Sequence, residues 1–383
     1  MHTGFIRVLW GVSLLLLLAA CSSDDARPPP AELQTIKPEI TLDRAWWFDV
    51  GGGSAEQILD LRPLFLDGTL YVVDAEGLVT AIEPVEGERL WKSDLDRPIT
   101  AGIAGSQGLL FMAEETGKVF AFDTVSKTVL WEAGLTSESV VKPLTVNDVV
   151  IVQTIDGRVT AFGQKDGIKR WEYANTTEPS LSLRGDAVPL LFKDAVIIGL
   201  SNGMVVSLSV RTGEVQWEQR VAEPKGRTEL ERLIDVDSAI FVVDNRLFAV
   251  AYQGRLVELD PYSGAVVWAT DASSYSDLSV GYNSLFITTP EGEVVAFKRD
   301  GGAKVWSNND LSYRYLGAPV AWQSYVLVPD FEGYIHVLNQ TDGRIVGRFR
   351  PGNDDGIRVP AFVANDLIYI YSNDGTLSAW RQE

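Results

Sequence analysis

Short apolar runs alternate with glycine-containing turns along most of this chain, and the pattern recurs about every 40 residues. One repeat contains apolar runs at residues 99–104, 109–113, 119–123 and 129–131, with a turn at Gly117. Residues 119–123 alternate with a period of two while both faces remain largely apolar, which is typical of buried strands rather than helices. The pattern therefore predicts four short antiparallel strands in each repeat.

Two glycines and a tryptophan mark the repeats at fixed offsets. The first turn carries a glycine at eight positions, which are Gly77, Gly117, Gly157, Gly203, Gly254, Gly292, Gly333 and Gly375. Fourteen residues after the first six of these glycines comes a tryptophan, namely Trp91, Trp131, Trp171, Trp217, Trp268 and Trp306. The seventh repeat has Gly347 at that place, so we expect its packing to be weaker or differently filled. A second turn glycine follows the first by ten residues except in one repeat, where Lys127 occupies the position.

Eight first-turn glycines predict an all-β fold, an eight-bladed β-propeller of four-stranded antiparallel blades. The last repeat ends before its tryptophan strand, because Glu383 is reached too soon after Gly375. Residues 44–50 match that missing strand and place Trp46 at the tryptophan position. We therefore predict that the N-terminal strand around Trp46 completes the last blade and closes the ring, so that residues 41–383 form one propeller domain.

The repeat sequence, as in residues 259–268 with Gly264 and Trp268, resembles the repeats of the pyrroloquinoline-quinone-type propeller family. This resemblance implies that each tryptophan docks its blade against the next one. An indole suits that role because it buries a large flat area while its N–H still finds an acceptor. The expected docking residues are Trp46, Trp91, Trp131, Trp171, Trp217, Trp268 and Trp306.

The N-terminus has the pattern of a secretory signal. A positive residue, Arg7, precedes the apolar residues 8–18 and the small residues that end at Ala20. That apolar stretch is shorter than the roughly 20 residues that a membrane-spanning helix needs. We therefore predict a signal peptide at residues 1–20 that is removed.

The residues around the predicted cleavage site, Leu-Ala-Ala-Cys, resemble the lipobox of bacterial lipoproteins. The resemblance implies that Cys21 becomes the acylated N-terminus. Ser22, in place of the inner-membrane retention aspartate, implies an outer-membrane location facing the periplasm. An ordinary secretory signal remains the alternative. Residues 21–40 contain several prolines and no apolar period, so we predict that they form the acylated N-terminus and a flexible tether.

Composition narrows the classes of function. A net charge of −19 argues against a nucleic-acid partner, because a phosphate backbone needs a basic face. Cys21 is the single cysteine, which excludes an intramolecular disulfide, and His336 is the single histidine beyond the signal peptide. We expect His336 to be packed or solvated rather than catalytic. The sequence contains no nucleophile elbow, phosphate loop or calcium loop, so it predicts no catalytic residue, cofactor or metal site.

Two other classes stay open. The propeller family named above includes pyrroloquinoline-quinone-dependent dehydrogenases, and membership of that enzyme class would imply calcium-ligating side chains near the axis and often a pair of adjacent cysteines. This chain has no such pair. The second alternative is a structural propeller that binds the cell wall or a polysaccharide.

Two neighbouring connections depart from the regular spacing. The distance from the tryptophan position, which is Gly347 in the seventh repeat, to the next first-turn glycine is 32 residues after Trp171 and 37 after Trp217, against 24 to 28 elsewhere. These connections, residues 175–189 and 222–237, leave from the same edge of adjacent blades. Their apolar and charged residues predict a small protein-binding patch, although packing of the two loops on themselves remains possible.

The lipobox, the eight repeats and two motifs in these connections together resemble the lipoproteins of the outer-membrane β-barrel assembly (BAM) machinery. The motifs are Pro-Ser-Leu-Ser-Leu-Arg-Gly and Thr-Glu-Leu-Glu-Arg-Leu-Ile-Asp-Val-Asp. The resemblance implies a non-catalytic scaffold that binds the POTRA domains of BamA and assists insertion of barrel proteins. The implied contact residues are Leu181, Leu183, Arg184, Asp235 and Asp237. Direct binding of unfolded outer-membrane proteins by β-augmentation is a further open possibility.

Overall fold

The computed structural model describes residues 28–54, 57–175, 187–223, 227–228, 234–236 and 240–383. These residues form 32 strands arranged in eight four-stranded antiparallel sheets. The predicted eight-bladed β-propeller is confirmed. The signal peptide and Cys21 lie outside the described residues, as do Leu181, Leu183, Arg184 and Asp237.

The first four blades each use four strands that follow one another in the chain. Blade 1 contains β2 (Leu64–Leu66), β3 (Thr69–Val73), β4 (Leu78–Ile82) and β5 (Arg89–Asp94). Blade 2 contains β6 (Ile99–Ser106), β7 (Leu109–Glu114), β8 (Lys118–Asp123) and β9 (Thr128–Gly134). Blade 3 contains β10 (Leu144–Val146), β11 (Val149–Gln153), β12 (Arg158–Gly163) and β13 (Lys169–Ala174). Blade 4 contains β14 (Leu190–Phe192), β15 (Ala195–Gly199), β16 (Met204–Ser209) and β17 (Val215–Arg220).

The next three blades repeat this order, and the eighth joins the two ends of the chain. Blade 5 contains β18 (Phe241–Val243), β19 (Arg246–Val250), β20 (Gly254–Leu259) and β21 (Val266–Ala272). Blade 6 contains β22 (Ser279–Val280), β23 (Ser284–Thr288), β24 (Val294–Lys298) and β25 (Lys304–Asn308). Blade 7 contains β26 (Val320–Trp322), β27 (Tyr325–Pro329), β28 (Ile335–Asn339) and β29 (Ile345–Phe349). Blade 8 contains β30 (Phe362–Ala364), β31 (Leu367–Tyr371), β32 (Thr376–Gln382) and β1 (Leu42–Asp49).

Ring closure depends on the pairing of β1 with β32. The register places Trp46 opposite Ala379 and Asp49 opposite Thr376, so the N-terminal strand is the outermost strand of blade 8. This is the arrangement that the position of Trp46 predicts. Closure leaves the ring without the long exposed edge of an open array.

The core lies between the blades. In blade 2 the two middle strands, β7 and β8, are almost fully buried, because each of their faces packs against a neighbouring blade. The outer strand β9 alternates exposed and half-buried residues instead. The two apolar faces of the middle strands and the alternation of the outer strand therefore follow from their places in the blade.

The turns divide the propeller into two faces. The first-turn glycines and the connections between blades lie on one face, here called the connection face. Leu95, for example, donates its amide to the carbonyl of Gly77 over 3.1 Å, where blade 1 passes to blade 2. The second-turn glycines, such as Gly87, lie on the opposite face. Both long connections therefore belong to the connection face.

The boundary of the predicted tether needs correction. The tether is predicted to reach residue 40, but the compact unit that contains the propeller begins at Ala31. Within it, Ala31 donates its amide to Ser312 and Glu39 donates its amide to Val346. Residues 31–40 are therefore part of the propeller unit, because their main chain is hydrogen-bonded to blade 7 and to the connection between blades 6 and 7. Of the remaining unit, Met1–Pro30, the structure describes residues 28–30 only.

Candidate functional site

The predicted docking tryptophans lie between consecutive blades. Six of them donate the indole N–H to a backbone carbonyl in the second turn of the next blade over 2.8–3.2 Å; these are Trp46, Trp131, Trp171, Trp217, Trp268 and Trp306. Each of these rings also covers the second-turn glycine. A Cβ on Gly213, for example, would come within 2.5 Å of the Trp171 ring, and the φ angle of Gly213 is +71°. Glycine is required there both by backbone conformation and by the close approach of the ring.

The exception at Lys127 preserves this docking by another contact. Lys127 has a φ angle of +59°, so it adopts the same turn conformation as the glycines in the other repeats. Its Nζ lies 3.2 Å from the centroid of the Trp91 ring. The ammonium also donates to the carbonyl of Thr124. A cation–π contact therefore replaces the glycine–indole contact between blades 1 and 2.

The place of the missing seventh tryptophan is filled by the N-terminal segment. A Cβ on Gly347 would come within 3.0 Å of the Ile40 side chain and 3.2 Å of its carbonyl oxygen. Ile40 is buried and belongs to the same apolar cluster as Val346 and Trp380. Position 347 therefore has no room for a tryptophan side chain, because the N-terminal segment passes over it at Ile40.

The two long connections are described only in part, and their described residues Ala187 and Val236 lie close together. Ala187 from the first connection and Val236 from the second both pack against Gly199, at the end of β15. A Cβ on Gly199 would come within 2.9 Å of Ala187 and 2.6 Å of the Val236 carbonyl. Gly199 is therefore the point at which both connections are held together on the connection face.

Asp235 is the one predicted contact residue that the structure describes. It is 0% exposed, and its carbonyl accepts a 2.8 Å hydrogen bond from the amide of Tyr252 in an isolated β-bridge. Its neighbour Ile234 is buried beside Gly203. In this conformation Asp235 fixes the path of the second connection rather than presenting a carboxylate at the surface.

An ion pair crosses the central channel at the connection face. Arg62, which precedes β2, contacts Asp277, which precedes β22, over 2.6 Å. Blades 1 and 6 are not neighbours in the ring, so these side chains meet at the channel. Asp60 also binds the guanidinium over 2.6 Å. Burial opposes the charge of Arg62, but the carboxylates of Asp277 and Asp60 hold its pKa above the ordinary value.

Lys142 adds a further positive charge to this channel cluster. Burial lowers its pKa, and the adjacent Arg62 lowers it further. Sequence analysis missed these residues because they lie in the irregular connections, where no repeat offset marks them. The cluster occupies the mouth of the channel with paired charges. In the part of the chain that the structure describes, no group of three or more His, Cys, Asp or Glu residues is arranged to hold a metal ion.

His336 lies in a second buried polar network, inside blade 7. The ring is 0% exposed; its Nε2 is 3.0 Å from Asp330, and its Nδ1 accepts from Nε of Arg348 over 3.1 Å. Because Nδ1 accepts, the proton of the neutral ring is on Nε2. Burial lowers the pKa of His336, although Asp330 opposes this shift.

Asp330 connects the histidine to a second arginine. Burial alone would raise the pKa of Asp330, but hydrogen bonds from His336, the Tyr334 amide and Arg314 hold it below the ordinary value. Nε of Arg314 donates to this carboxylate over 2.8 Å. The network therefore orients two guanidinium groups, those of Arg314 and Arg348, at the side of blade 7.

Nothing in the described residues forms a helix long and apolar enough to cross a bilayer.

Comparisons with known proteins agree with this architecture. Residues 75–308 match the family model described as outer membrane protein assembly factor BamB. The outer membrane protein assembly factor BamB of Pseudomonas aeruginosa is 38% identical over 352 residues, which cover 92% of each chain. The crystal structure of BamB from Moraxella catarrhalis superposes with a TM-score of 0.79 at 30% identity, covering 89% of this chain and 100% of that one. A europium-containing methanol dehydrogenase, at 13% identity and a TM-score of 0.73 over 89% of this chain and 93% of that one, shares the fold alone.

Proposed function

This chain belongs to the family of the outer membrane protein assembly factor BamB, and we propose that it is a non-catalytic scaffold of the BAM complex that assists the folding and insertion of β-barrel proteins. The relatives that carry this name match it over nearly their whole length. The alternative, a pyrroloquinoline-quinone-dependent dehydrogenase, is not favoured. That class would imply calcium-ligating side chains near the axis, whereas the channel mouth at the connection face holds the Arg62–Asp277 ion pair.

The partner in this proposal is BamA, bound through its POTRA domains at the two long connections. The observation that carries it is the convergence of both connections on Gly199, which brings two irregular segments to one place on the connection face. Leu181, Leu183, Arg184 and Asp237 are the proposed direct contacts. Asp235 belongs to the proposed site as a positioning residue, because its side chain is buried in the free protein.

Attachment to the membrane is the second part of the proposal. Residues 1–20 are removed as a lipoprotein signal peptide, and Cys21 is acylated, so that the propeller is held at the outer membrane facing the periplasm. A lipid anchor suits this body because the full sequence carries a net charge of −19, and removal of Arg7 with residues 1–20 makes it −20, which gives no attraction to anionic lipid. Each buried methylene of the anchor contributes about 0.8 kcal/mol.

A loop variant tests the BamA site. In the double variant Leu183→Ala and Arg184→Ala we expect co-purification with BamA to be lost while circular dichroism and melting temperature stay near those of the unchanged protein. The matched control is Val125→Ala with Arg211→Ala, which removes one exposed apolar and one exposed basic side chain from turns on the opposite face. Co-purification that survives in the loop variant, or is lost equally in the control, would contradict the site.

The absence of catalysis is tested separately. We expect the purified protein to show neither tight binding of pyrroloquinoline quinone in the presence of calcium nor dye-coupled oxidation of alcohols. Saturable binding accompanied by turnover would replace the scaffold proposal with the enzyme alternative. Retention on cell-wall glycan that is independent of the two connections would instead favour the polysaccharide-binding class.

Unfolded outer-membrane proteins are a further proposed partner class. In four blades the residue immediately before the docking tryptophan is an exposed large apolar residue of the outermost strand, namely Leu90, Leu130, Val267 or Val305. Such a strand offers both backbone groups and apolar contacts to an added strand. A photoreactive residue at Leu130 should crosslink to a denatured barrel protein more strongly than one at Arg211; equal yields would count against edge binding.

A further inference from the structure

Residues 31–40 lie along the groove between the outer strands of blades 6 and 7. Three arginines of this region hold the segment. Arg314 donates to the carbonyl of Ala31 over 3.1 Å, and Arg348 donates to the carbonyl of Gln34 over 3.1 Å. Arg344 binds the carboxylate of Glu39 over 2.7 Å. The segment is thus held at its start, middle and end.

Two of these arginines are oriented by the buried network beneath them. Arg314 is fixed by Asp330, and Arg348 is fixed by the Nδ1 of His336. Both use other atoms of the guanidinium for the segment, which a planar group with five donors allows. The buried histidine therefore has a structural consequence at the surface, because it sets the direction of a donor that holds the N-terminal segment.

Apolar contacts add to this attachment. Leu33 packs against the cluster that contains Leu311 and Leu316, and Ile40 covers Gly347. Between these two points Gln34 and Ile36 line a cavity of about 260 Å³ together with residues of β25 and β29. The place where the repeat lacks its tryptophan is therefore the place where the segment leaves the groove and continues into β1.

The segment runs from one face of the propeller to the other. Glu39 pairs with Val346, directly after the second turn of blade 7 on the opposite face. Ala31 pairs with Ser312, in the connection between blades 6 and 7. The chain thus enters the groove at the connection face and leaves it at the start of β1. Ten residue-to-residue steps lead from Cys21 to Ala31, and each spans at most about 3.3–3.6 Å.

We propose that blade 7 holds residues 31–40 so that the lipid anchor leaves the propeller at the connection face, and that this face is the surface turned toward the lipid bilayer. The proposal rests on the acylation of Cys21 proposed above. It places the two long connections on the membrane-proximal side. It also assigns Arg314, Arg344 and Arg348 a role in orientation that the repeat pattern does not predict.

Fluorescence transfer to a membrane dye tests this orientation. Because Cys21 is the only native cysteine and its sulfur carries lipid in the anchored form, a cysteine introduced elsewhere is labelled selectively. Glu291→Cys marks the connection face of blade 6, and Asp300→Cys marks its opposite face; both positions are exposed acidic turn residues. The distances of the two labels from the membrane would differ by about the height of a blade, which is the five residues of β24 at about 3.3 Å each.

With the full acylated protein in vesicles that carry a headgroup acceptor dye, we expect the stronger transfer from the label at position 291. A released variant, Leu33→Ser with Glu39→Ala and Arg344→Ala, should lose this difference while keeping its circular dichroism spectrum. Equal transfer from both labels in the membrane-bound parent, or stronger transfer from position 300, would overturn the orientation. Protein that fails to bind vesicles would overturn the acylation of Cys21 and with it this proposal.

Discussion

Replacing Trp171 by alanine tests whether the indoles hold the blades together. The side chain is 8% exposed between blades 3 and 4, and its N–H donates to the carbonyl of Val210 over 2.8 Å. Truncation of a buried aromatic residue costs about 3–5 kcal/mol. The lost hydrogen bond leaves a buried carbonyl without its donor and adds about 1 kcal/mol. We therefore expect a loss near the upper end of that range.

The two contributions can be separated with a second substitution and a control. Trp171→Phe keeps an aromatic ring but removes the donor, so it should cost clearly less than alanine. The control is Trp47→Ala. Trp47 follows the docking residue Trp46 in the sequence but is 53% exposed, so its loss should change the free energy of unfolding by less than about 1 kcal/mol. Urea unfolding followed by circular dichroism measures all three midpoints. Equal midpoints for Trp171→Ala and Trp47→Ala would refute docking by the indole.

Three further predictions concern the turns, the channel and the buried histidine. Gly213→Ala should destabilise the protein more than Gly68→Ala, because both have positive φ but only Gly213 has a ring within 2.5 Å of the new Cβ; thermal unfolding of the pair decides this. A double-mutant cycle of Arg62→Ala and Asp277→Ala should give a coupling of about 1–3 kcal/mol by urea unfolding, and zero coupling would exclude an ion pair across the channel. The pKa of His336 is lower in the folded protein than its ordinary 6.5, so the stability that the neutral ring contributes is complete above pH 6.5 and declines as the pH falls below that value. In His336→Gln the free energy of unfolding should therefore depend less on pH between pH 8 and pH 5.5. An unchanged slope would contradict this.

The fold class and the number of blades could be predicted from the amino-acid sequence. A fixed offset from Gly77 to Trp91, repeated around the ring, describes a unit whose strands pair with their immediate neighbours in the chain. Such local pairing is visible as periodicity. Closure by Trp46 followed from the same offset, because the last repeat lacks a strand and residues 44–50 supply its pattern. The sequence also shows that Lys127 replaces a second-turn glycine, but it does not reveal the cation–π contact with Trp91 that accommodates this lysine.

Contacts between irregular segments far apart in the chain emerged only from the folded structure. Ile40 covers Gly347, and Arg62 meets Asp277, although no spacing relates either pair. Local propensity cannot show such contacts, because they arise only when the ring brings irregular connections to one place. Asp235 illustrates the same limit: its motif marks it as a candidate partner contact, while packing places its side chain inside the protein.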